Sequence, residues 1–376
     1  MKKVILILLV AFVFFATTNT VSAEDYTLDI EKIAIETIKN SQALDTYSKQ
    51  VTMAQKNYGN VMESIGSARQ SLVYRNSYQT VESIILTPMQ MKNILDEVTN
   101  GQQVATNAVR LSAYQSYIAL LKSGYDLNIK QDLMNGLEAD YKQAKLKQSL
   151  GQLTQSELRL SEIAYLKAQY NYKSAQNTYN SAYMSLNKLM NENLEKQYST
   201  LQDDNIIPAP EIKQLSDYIN LALTSRSEVI NAQNTLDYKK KAYDYAKAEY
   251  PPPSDIKLYT QQQQYAIDSA QNALDIAKIS VQQDIITLYK SLSGAYKNME
   301  AMKNLDNQAA VSFRAAEVKF KNGQISQQDF EDAKVSKAQA HMNNKNAQLD
   351  AWLAQTTMDY ACGFGYKPSS STSSSS

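Results

Sequence analysis

The sequence predicts an all-α protein of long antiparallel coiled-coil hairpins in two tandem repeats, with little or no β structure. Three observations carry this prediction. The 376 residues hold only 10 Gly and 7 Pro, where average usage of the two is about 12 per cent. Apolar residues recur at steps of three and four over many turns, and the second half of the chain repeats the first. The prolines also sit together, at Pro88, Pro208 and Pro210, Pro251 to Pro253, and Pro368. A β-sandwich or barrel needs turn residues every ~8–12 positions, and alternating α/β folds need Gly-rich strand-to-helix turns. Neither supply exists here.

Read in order, residues 1–23 are an export signal. Lys2 and Lys3 precede an apolar run from Val4 to Ala16, and Val21-Ser22-Ala23 places small residues before a cleavage point. The apolar run is short for a spanning helix, which needs about 20 residues, so cleavage is expected, with an uncleaved anchor as the alternative. The mature chain then begins near Glu24 and works outside the cytoplasmic membrane. Residues 366–376 are a Ser-rich tail with nothing to bury, and disorder is expected there.

Between these ends the heptads dominate. Leu44, Tyr47, Val51, Ala54, Tyr58, Val61, Ile65, Ala68 and Leu72 keep a 3.5-residue period, which favours a left-handed coiled coil. A second run is Ala164, Ala168, Tyr172, Ala175, Tyr179, Ala182, Leu186 and Leu189. A third extends from Ala266 through Ala270, Ala273, Ala277, Val281 and Ile285 to Met302. The many alanines let helix axes approach closely. Breakers divide the chain into helices over 26–74 (bent near Gly59 and Gly66), 101–150 and 152–196, then 211–250, 260–322 and 324–361. The segment 199–211, with Asp203-Asp204-Asn205 and two prolines, is a linker between a first repeat, 24–198, and a second, 212–365.

The repeat is explicit. Tyr141, Ala144, Lys147, Gly151, Glu157 and Leu158 align with Phe313, Ala316, Lys319, Gly323, Asp329 and Phe330 at an offset of 172. Near the start of each half, Ile38, Leu44, Val51 and Tyr58 align with Leu223, Val229, Leu236 and Tyr243 at an offset of 185. Gly151 and Gly323 supply the left-handed residue that ends one helix. Thr154 and Ser326 can cap the next, with Glu157 and Asp329 as the acid three residues on. Each unit is therefore a helical hairpin with a glycine at its tip.

These residues carry a resemblance. The tip pattern, followed by Ala at helical spacing, is similar to that of the TolC-type outer membrane efflux proteins. So are the opening signatures Ile35 to Leu44 and Asn220 to Val229. The resemblance covers about Tyr26 to Gly365. It implies a homotrimer whose twelve helical strands enclose a tunnel, docked onto an adaptor protein and an inner-membrane export pump. It also places acidic side chains just beyond the second tip at a narrow entrance, here Asp329 and Asp332, with Phe320 where the family often has Tyr. Three copies of two carboxylates would favour cations there. The plainer reading makes Asp329 a capping acid and Asp332 a solvated residue. The first half keeps only Glu157, with Leu160 opposite Asp332.

One departure stands out. The family inserts a β-hairpin in each half to build a membrane barrel, and each spanning strand needs about 9–11 alternating residues. Tyr250 to Tyr259, with three prolines, has room for a turn alone. In Asn76 to Gly101 only Val81 to Thr87 could be a short strand. The barrel is read as absent and outer membrane insertion is not expected, while other membrane association is left open.

Composition excludes other classes. Lys plus Arg and Asp plus Glu balance at 38 each, so there is no electrostatic footprint for nucleic acid. One Cys and one His leave no zinc or disulfide framework, and no nucleotide, hydrolase or zincin motif occurs. The chain is expected to be non-enzymatic, with no cofactor and no metal. Cys362 reads as a small buried or helix-end residue and His341 as a helix-surface residue. Tyr165, Tyr172 and Tyr179 repeat every seven residues, which fits interhelix packing or an aromatic ladder along a tunnel. Two functions survive: a tube that bridges an export pump across the envelope, and a surface coiled-coil protein of structural or adhesive role that has lost the channel.

Overall fold

The computed structural model describes residues 27–71, 82–248 and 256–367. The signal segment, Pro251 to Pro253 and the Ser-rich residues 369–376 lie outside them. In chain order the elements are β1 (Thr27–Leu28), α1 (Ile30–Lys39), α2 (Gln42–Ser71), a π-helical turn (Glu82–Leu86), α3 (Thr87–Ser149) and α4 (Gln155–Leu189). There follow β2 (Thr200–Leu201), α5 (Leu215–Ser225), α6 (Ser227–Ala248), α7 (Ile256–Lys321) and α8 (Gln327–Cys362). The fold is all-α: the strands described form one two-residue parallel pairing, Thr27 with Thr200 and Leu28 with Leu201. At about 1.5 Å per residue, α3 and α7, of 63 and 66 residues, each run close to 100 Å.

Helix ends follow from local chemistry. Asp29 caps α1, its carboxylate accepting from the amides of Glu31 and Lys32 at 2.9 Å. Pro88 stands in the first turn of α3, so its missing amide hydrogen removes no bond within α3 itself. The helix therefore starts fourteen residues before Gly101, which the sequence takes as its beginning. Gly101 lies inside α3 against the ring of Tyr47. The candidate strand Val81 to Thr87 is also corrected: residues 82–86 are π-helical and lead straight into α3. α4 stops at Leu189, short of the expected Lys196, because Asn191 turns left-handed with φ 58°. The Asn187 amide then donates to Leu194 O at 3.1 Å and Lys196 O at 2.9 Å, holding the following loop.

The first helix of each half is broken where the sequence contains no breaker. In the first half the break is at Asn40 and Ser41, in the second at Arg226, and α2 continues unbroken through Gly59 and Gly66. Both breaks are clamped to the far end of the same half. Asn40 Nδ2 donates to Met190 O at 2.7 Å, and an Arg226 guanidinium nitrogen donates to Ala361 O at 3.2 Å.

Each half has its own core. Ile33, Tyr117, Leu120 and Leu186 belong to the first; Tyr218, Ile285, Leu292 and Met358 belong to the second. Equivalent positions are buried together: Ile33 and Tyr218, Thr37 and Ala222, Ala113 and Ile285, Leu120 and Leu292, Leu186 and Met358. A buried Leu contributes about 1.5–3 kcal/mol against exposure, so these layers set the register of each half. In the third heptad run Leu274 is buried in place of Ala273. Tyr117, fully buried, shares its hydroxyl proton between Leu28 O and Gln202 O, 2.8 Å from each. This ties the small sheet to α3.

The linker crosses the helices as a strap. Asp203 is bonded by the Tyr125 hydroxyl and paired with Lys345. Ala209 N donates to Gln355 Oε1 at 2.7 Å, and Tyr296 donates to Ala209 O at 2.8 Å. The halves join through α3, which packs against α6 and α8. On α3 a heptad of asparagines forms this seam. Asn93 donates to Asn234 O at 3.1 Å, Asn100 to Asn231 Oδ1 at 3.2 Å, and Asn107 to Gly365 O at 2.8 Å. Tyr366 packs on the second core and Lys367 pairs with Asp284 at 2.6 Å, so the first two residues assigned to the tail are part of the body.

Candidate functional site

The two hairpin tips are built alike. Gly151 and Gly323 have φ of +72° and +66°, the left-handed region that other residues enter at a cost of about 1–2 kcal/mol. Past the first glycine, Gln152 N donates to Lys147 O at 2.9 Å; past the second, Gln324 N donates to Lys319 O at 2.8 Å. These are the long bonds that close a helix C-terminus over a left-handed residue. The next helix starts with a reciprocal cap at both tips. Glu157 N donates to Thr154 Oγ1 at 3.2 Å while Thr154 N donates to Glu157 Oε2 at 2.8 Å. At the second tip Asp329 N donates to Ser326 Oγ, and Ser326 N to Asp329 Oδ2, both at 3.1 Å.

The same bonds act on charge. Hydrogen bonds from the Ser326 hydroxyl and then its amide hold the exposed Asp329 carboxyl below the usual carboxylate range, and Thr154 does the same for Glu157. Asp329 is thus the capping acid of α8 and stays ionised. Asp332, one turn on, is exposed and accepts from Gln328 Nε2 at 3.1 Å. Phe320 is half-buried, stacked on Phe330 at 4.7 Å, and Phe330 also meets Phe313 at 5.6 Å. Lys337 lies 4.8 Å over the Phe313 ring. The first tip has a stack of Tyr141 on Tyr165 at 6.0 Å in the corresponding place, so the tips share a backbone and differ in aromatic chemistry.

The structure brings the two hairpins together near these tips. A groove of about 350 Å³ lies between them, with Asp140, Lys147 and Leu153 from the first hairpin and Ser326 and Gln328 from the second. Burial raises the Asp140 carboxyl, and the charges of Glu331 and Asp332 raise it further. Asp332 therefore works within a group of three carboxylates across the seam. Asp140 and Glu331 escape sequence reasoning because Asp140 lies on the other hairpin, opposite a serine in the repeat. Among the described residues, no three His, Cys, Asp or Glu side chains lie close enough together to hold a metal ion.

The remaining candidates have structural positions. Tyr179 sits over Gly124, where an added Cβ would stand 3.2 Å from the ring, and it meets Tyr183 edge-on at 5.5 Å. Tyr165, Tyr172 and Tyr179 are all half-buried, and the contacts of Tyr165 and Tyr179 are those of interhelix packing. Cys362 is buried, its thiol pushed up to about 11 mainly by burial. His341 is on the surface of α8, with Nδ1 3.1 Å from Asp306.

No family model and no curated relative matches the chain. Solved structures do. The outer membrane protein VceC from Vibrio cholerae superposes with a TM-score of 0.62 at 11% identity, covering 90% of this chain and 97% of that one. CusC, studied for folding and transmembrane channel formation, gives 0.60 at 12% identity over 89% and 92%. The Campylobacter jejuni CmeC outer membrane channel gives 0.58 at 12% over 90% and 86%. The chain has the fold of these TolC-type outer membrane channels across nearly the whole length of each.

Proposed function

We propose that the chain is a non-enzymatic export component of the cell envelope, copies of which close side by side into a helical tunnel. The observation that carries this reading is an open array with two sticky edges. Toward the tips the helices lie in the order α4, α3, α8, α7, since α4 packs on α3, α3 on α8 and α8 on α7. The outer faces of both edge helices carry exposed large apolar residues. On α4 these are Leu160, Ile163, Leu166 and Tyr170; on α7 they include Ile276, Ile279, Val311 and Val318. On α4 the stripe lies opposite the buried Ala168 and Ala175, so the helix is apolar on two sides. A helix of that kind is made to be flanked twice, and exposed apolar residues repeated along one helix face fit an interaction surface. The two edges differ in sequence, so the contact is head-to-tail, and such contacts generate rings when the rotation closes. By its fold the ring would be a trimer, working with an adaptor and an inner-membrane pump.

In this reading 24–198 and 212–365 are the two repeats, residues 1–23 direct export, and the tips of three copies meet at the entrance. There Asp329 and Asp332 would present charge and Phe320 would brace the second tip through Phe330. Membrane insertion through a barrel of its own is not part of the proposal. The chain between Ser71 and Glu82, and that between Ala248 and Ile256, is shorter than two spanning strands of about 9–11 residues each.

Light scattering with electron microscopy of the 24–376 product tests the assembly. A ring in end view is expected; a monomeric rod at every concentration would sink the tunnel and favour a surface coiled-coil protein. Asp329→Asn with Asp332→Asn tests the entrance. Export of a cationic dye by cells carrying that variant should fall, and unchanged export would remove these residues from the role.

A further inference from the structure

Three asparagines in the chain are followed directly by glycine: Asn100, Asn135 and Asn322. In such a pair no side chain on the second residue shields its amide nitrogen from the asparagine's carboxamide carbon. The fold treats the three pairs differently. Asn100-Gly101 and Asn135-Gly136 lie inside α3, where each glycine amide is engaged in the i→i−4 ladder of a long helix. Asn100 is fixed further by its bond to Asn231 Oδ1. Asn135 is exposed, so helical backbone is what protects it. Asn322-Gly323 lies past the end of α7, at the second tip. Both residues are exposed, Gly323 is left-handed with φ +66°, and an added Cβ there would meet nothing within 4 Å. The Gly323 amide donates to Phe320 O at 2.9 Å. That is a three-residue bond in the last turn of a helix, which opens at far lower cost than one in a helix interior. The first tip has the same backbone but carries Leu150 before Gly151, and leucine has no carboxamide to attack.

We propose that Asn322 is a site of self-deamidation, which the fold confines to the second tip. The Gly323 nitrogen attacks Asn322 Cγ, the new C–N bond closes a succinimide, the amide proton passes to the departing nitrogen, and ammonia leaves. Water then adds to either ring carbonyl and opens it, returning residue 322 as aspartate or as isoaspartate. No electrons change hands, and water is the one co-reactant. Either product puts a carboxylate at the C-terminal end of α7, where the helix dipole disfavours negative charge. The isoaspartate also adds a methylene to the main chain between residues 322 and 323. This falls inside the loop that Gln324 N closes on Lys319 O at 2.8 Å, so that bond is lost. The first tip keeps its equivalent, Gln152 N on Lys147 O at 2.9 Å. The two tips start with one backbone and diverge as the protein ages.

The test is to incubate the full chain at mildly alkaline pH, folded and in parallel in urea, and map its peptides by mass spectrometry with enzymatic isoaspartate labelling. In the folded chain Asn322 should convert at least about tenfold faster than Asn135, and in urea the two should convert at similar rates. Equal rates in the folded chain, or an Asn322 that stays intact there while it converts in urea, would overturn the site. Leu150→Asn places the same pair at the first tip and should convert there as Asn322 does; no conversion in that variant would mean that the tip backbone does not select the site. Hydrogen exchange reads the consequence. The aged chain should lose protection at Gln324 and keep it at Gln152, while Asn322→Gln, whose longer side chain closes the ring far more slowly, should keep both. Loss of Gln324 protection in Asn322→Gln as well would overturn the loosening.

Discussion

Arg226 and Asp284 form an ion pair at 3.0 Å inside the second repeat, with the arginine side chain 5% exposed and the carboxylate 18%. The guanidinium also bonds Glu228 at 2.7 Å and Ala361 O at 3.2 Å, and Lys367 reaches Asp284 from the other side. One side chain thus joins the α5–α6 break, α7, the end of α8 and the last described residues. Removing the arginine leaves the Asp284 carboxylate partly stranded, held by Lys367 alone, at a cost of up to about 3 kcal/mol. Arg226→Met should therefore lower the urea midpoint clearly. Asp284→Asn added to it should cost less than the two single changes together, because the stranded carboxylate is gone. Strict additivity would show that the pair is not coupled.

The same cluster gives a pH dependence. Burial pushes the Asp284 carboxyl up, but hydrogen bonds from Lys367 and Arg226 outweigh it and hold the group below its ordinary value. Burial likewise raises Glu228, and Arg226 more than reverses it. Depressed carboxyls stabilise the fold fully above the unfolded value of about 4, and that contribution is lost as pH falls through the lower folded values. Urea midpoints should hold from pH 7 to about 5 and fall below about 4. Asp284→Asn should reduce that acid-side fall. An identical profile in the variant would exclude this carboxylate as a source of the acid sensitivity.

Why the break at Arg226 escaped the sequence is physical. The residue is extended, with φ −67° and ψ 130°, yet it has ordinary helix propensity and no Gly or Pro beside it. What holds it open is a set of partners 58 and 135 residues away, which no local window contains. Asn40 and Asn191 are similar cases, fixed by Met190 O and by the loop that Asn187 gathers. The tips were legible because their causes are local: a left-handed glycine, a hydroxyl cap and an acid three residues on lie within a dozen positions. The seam asparagines could have been found from their heptad spacing, but only with knowledge of which helix they face. For the candidate site, the tip pattern marked Asp329 as a capping acid, the family resemblance added Asp332 and Phe320, and Asp140 needed the packing of one hairpin on the other.

Leu120 and Leu292 occupy equivalent layers of separate cores, each with no exposed surface. Truncation of either to Ala should cost about 3 kcal/mol from lost transfer and the cavity left behind. The cores are distinct, so the damage should be local. Hydrogen exchange should quicken around Leu186 and Tyr117 in Leu120→Ala, and around Met358 and Ile285 in Leu292→Ala. Equal quickening of both halves by either change would mean that the repeats unfold as one unit.

The carboxylates between the hairpins make the tip region respond to acid in the opposite sense. Asp140 is raised, first by burial and then by Glu331 and Asp332. A carboxyl with a raised folded value disfavours the packed state once it ionises, so the seam should be loosest at neutral pH and tighten as pH falls through that value. Asp329 does not share this behaviour, because Ser326 keeps it ionised to lower pH. Neutralising one member should reproduce the effect of acid. In Asp140→Asn the amides of α3 near residue 140 and of α8 near residue 332 should exchange more slowly than wild type at pH 7, and the difference should vanish near pH 3. Asp332→Asn should act in the same direction through the same group. Faster exchange in Asp140→Asn at neutral pH would mean that the carboxylate supports the seam by a bond, and the repulsion argument would fail.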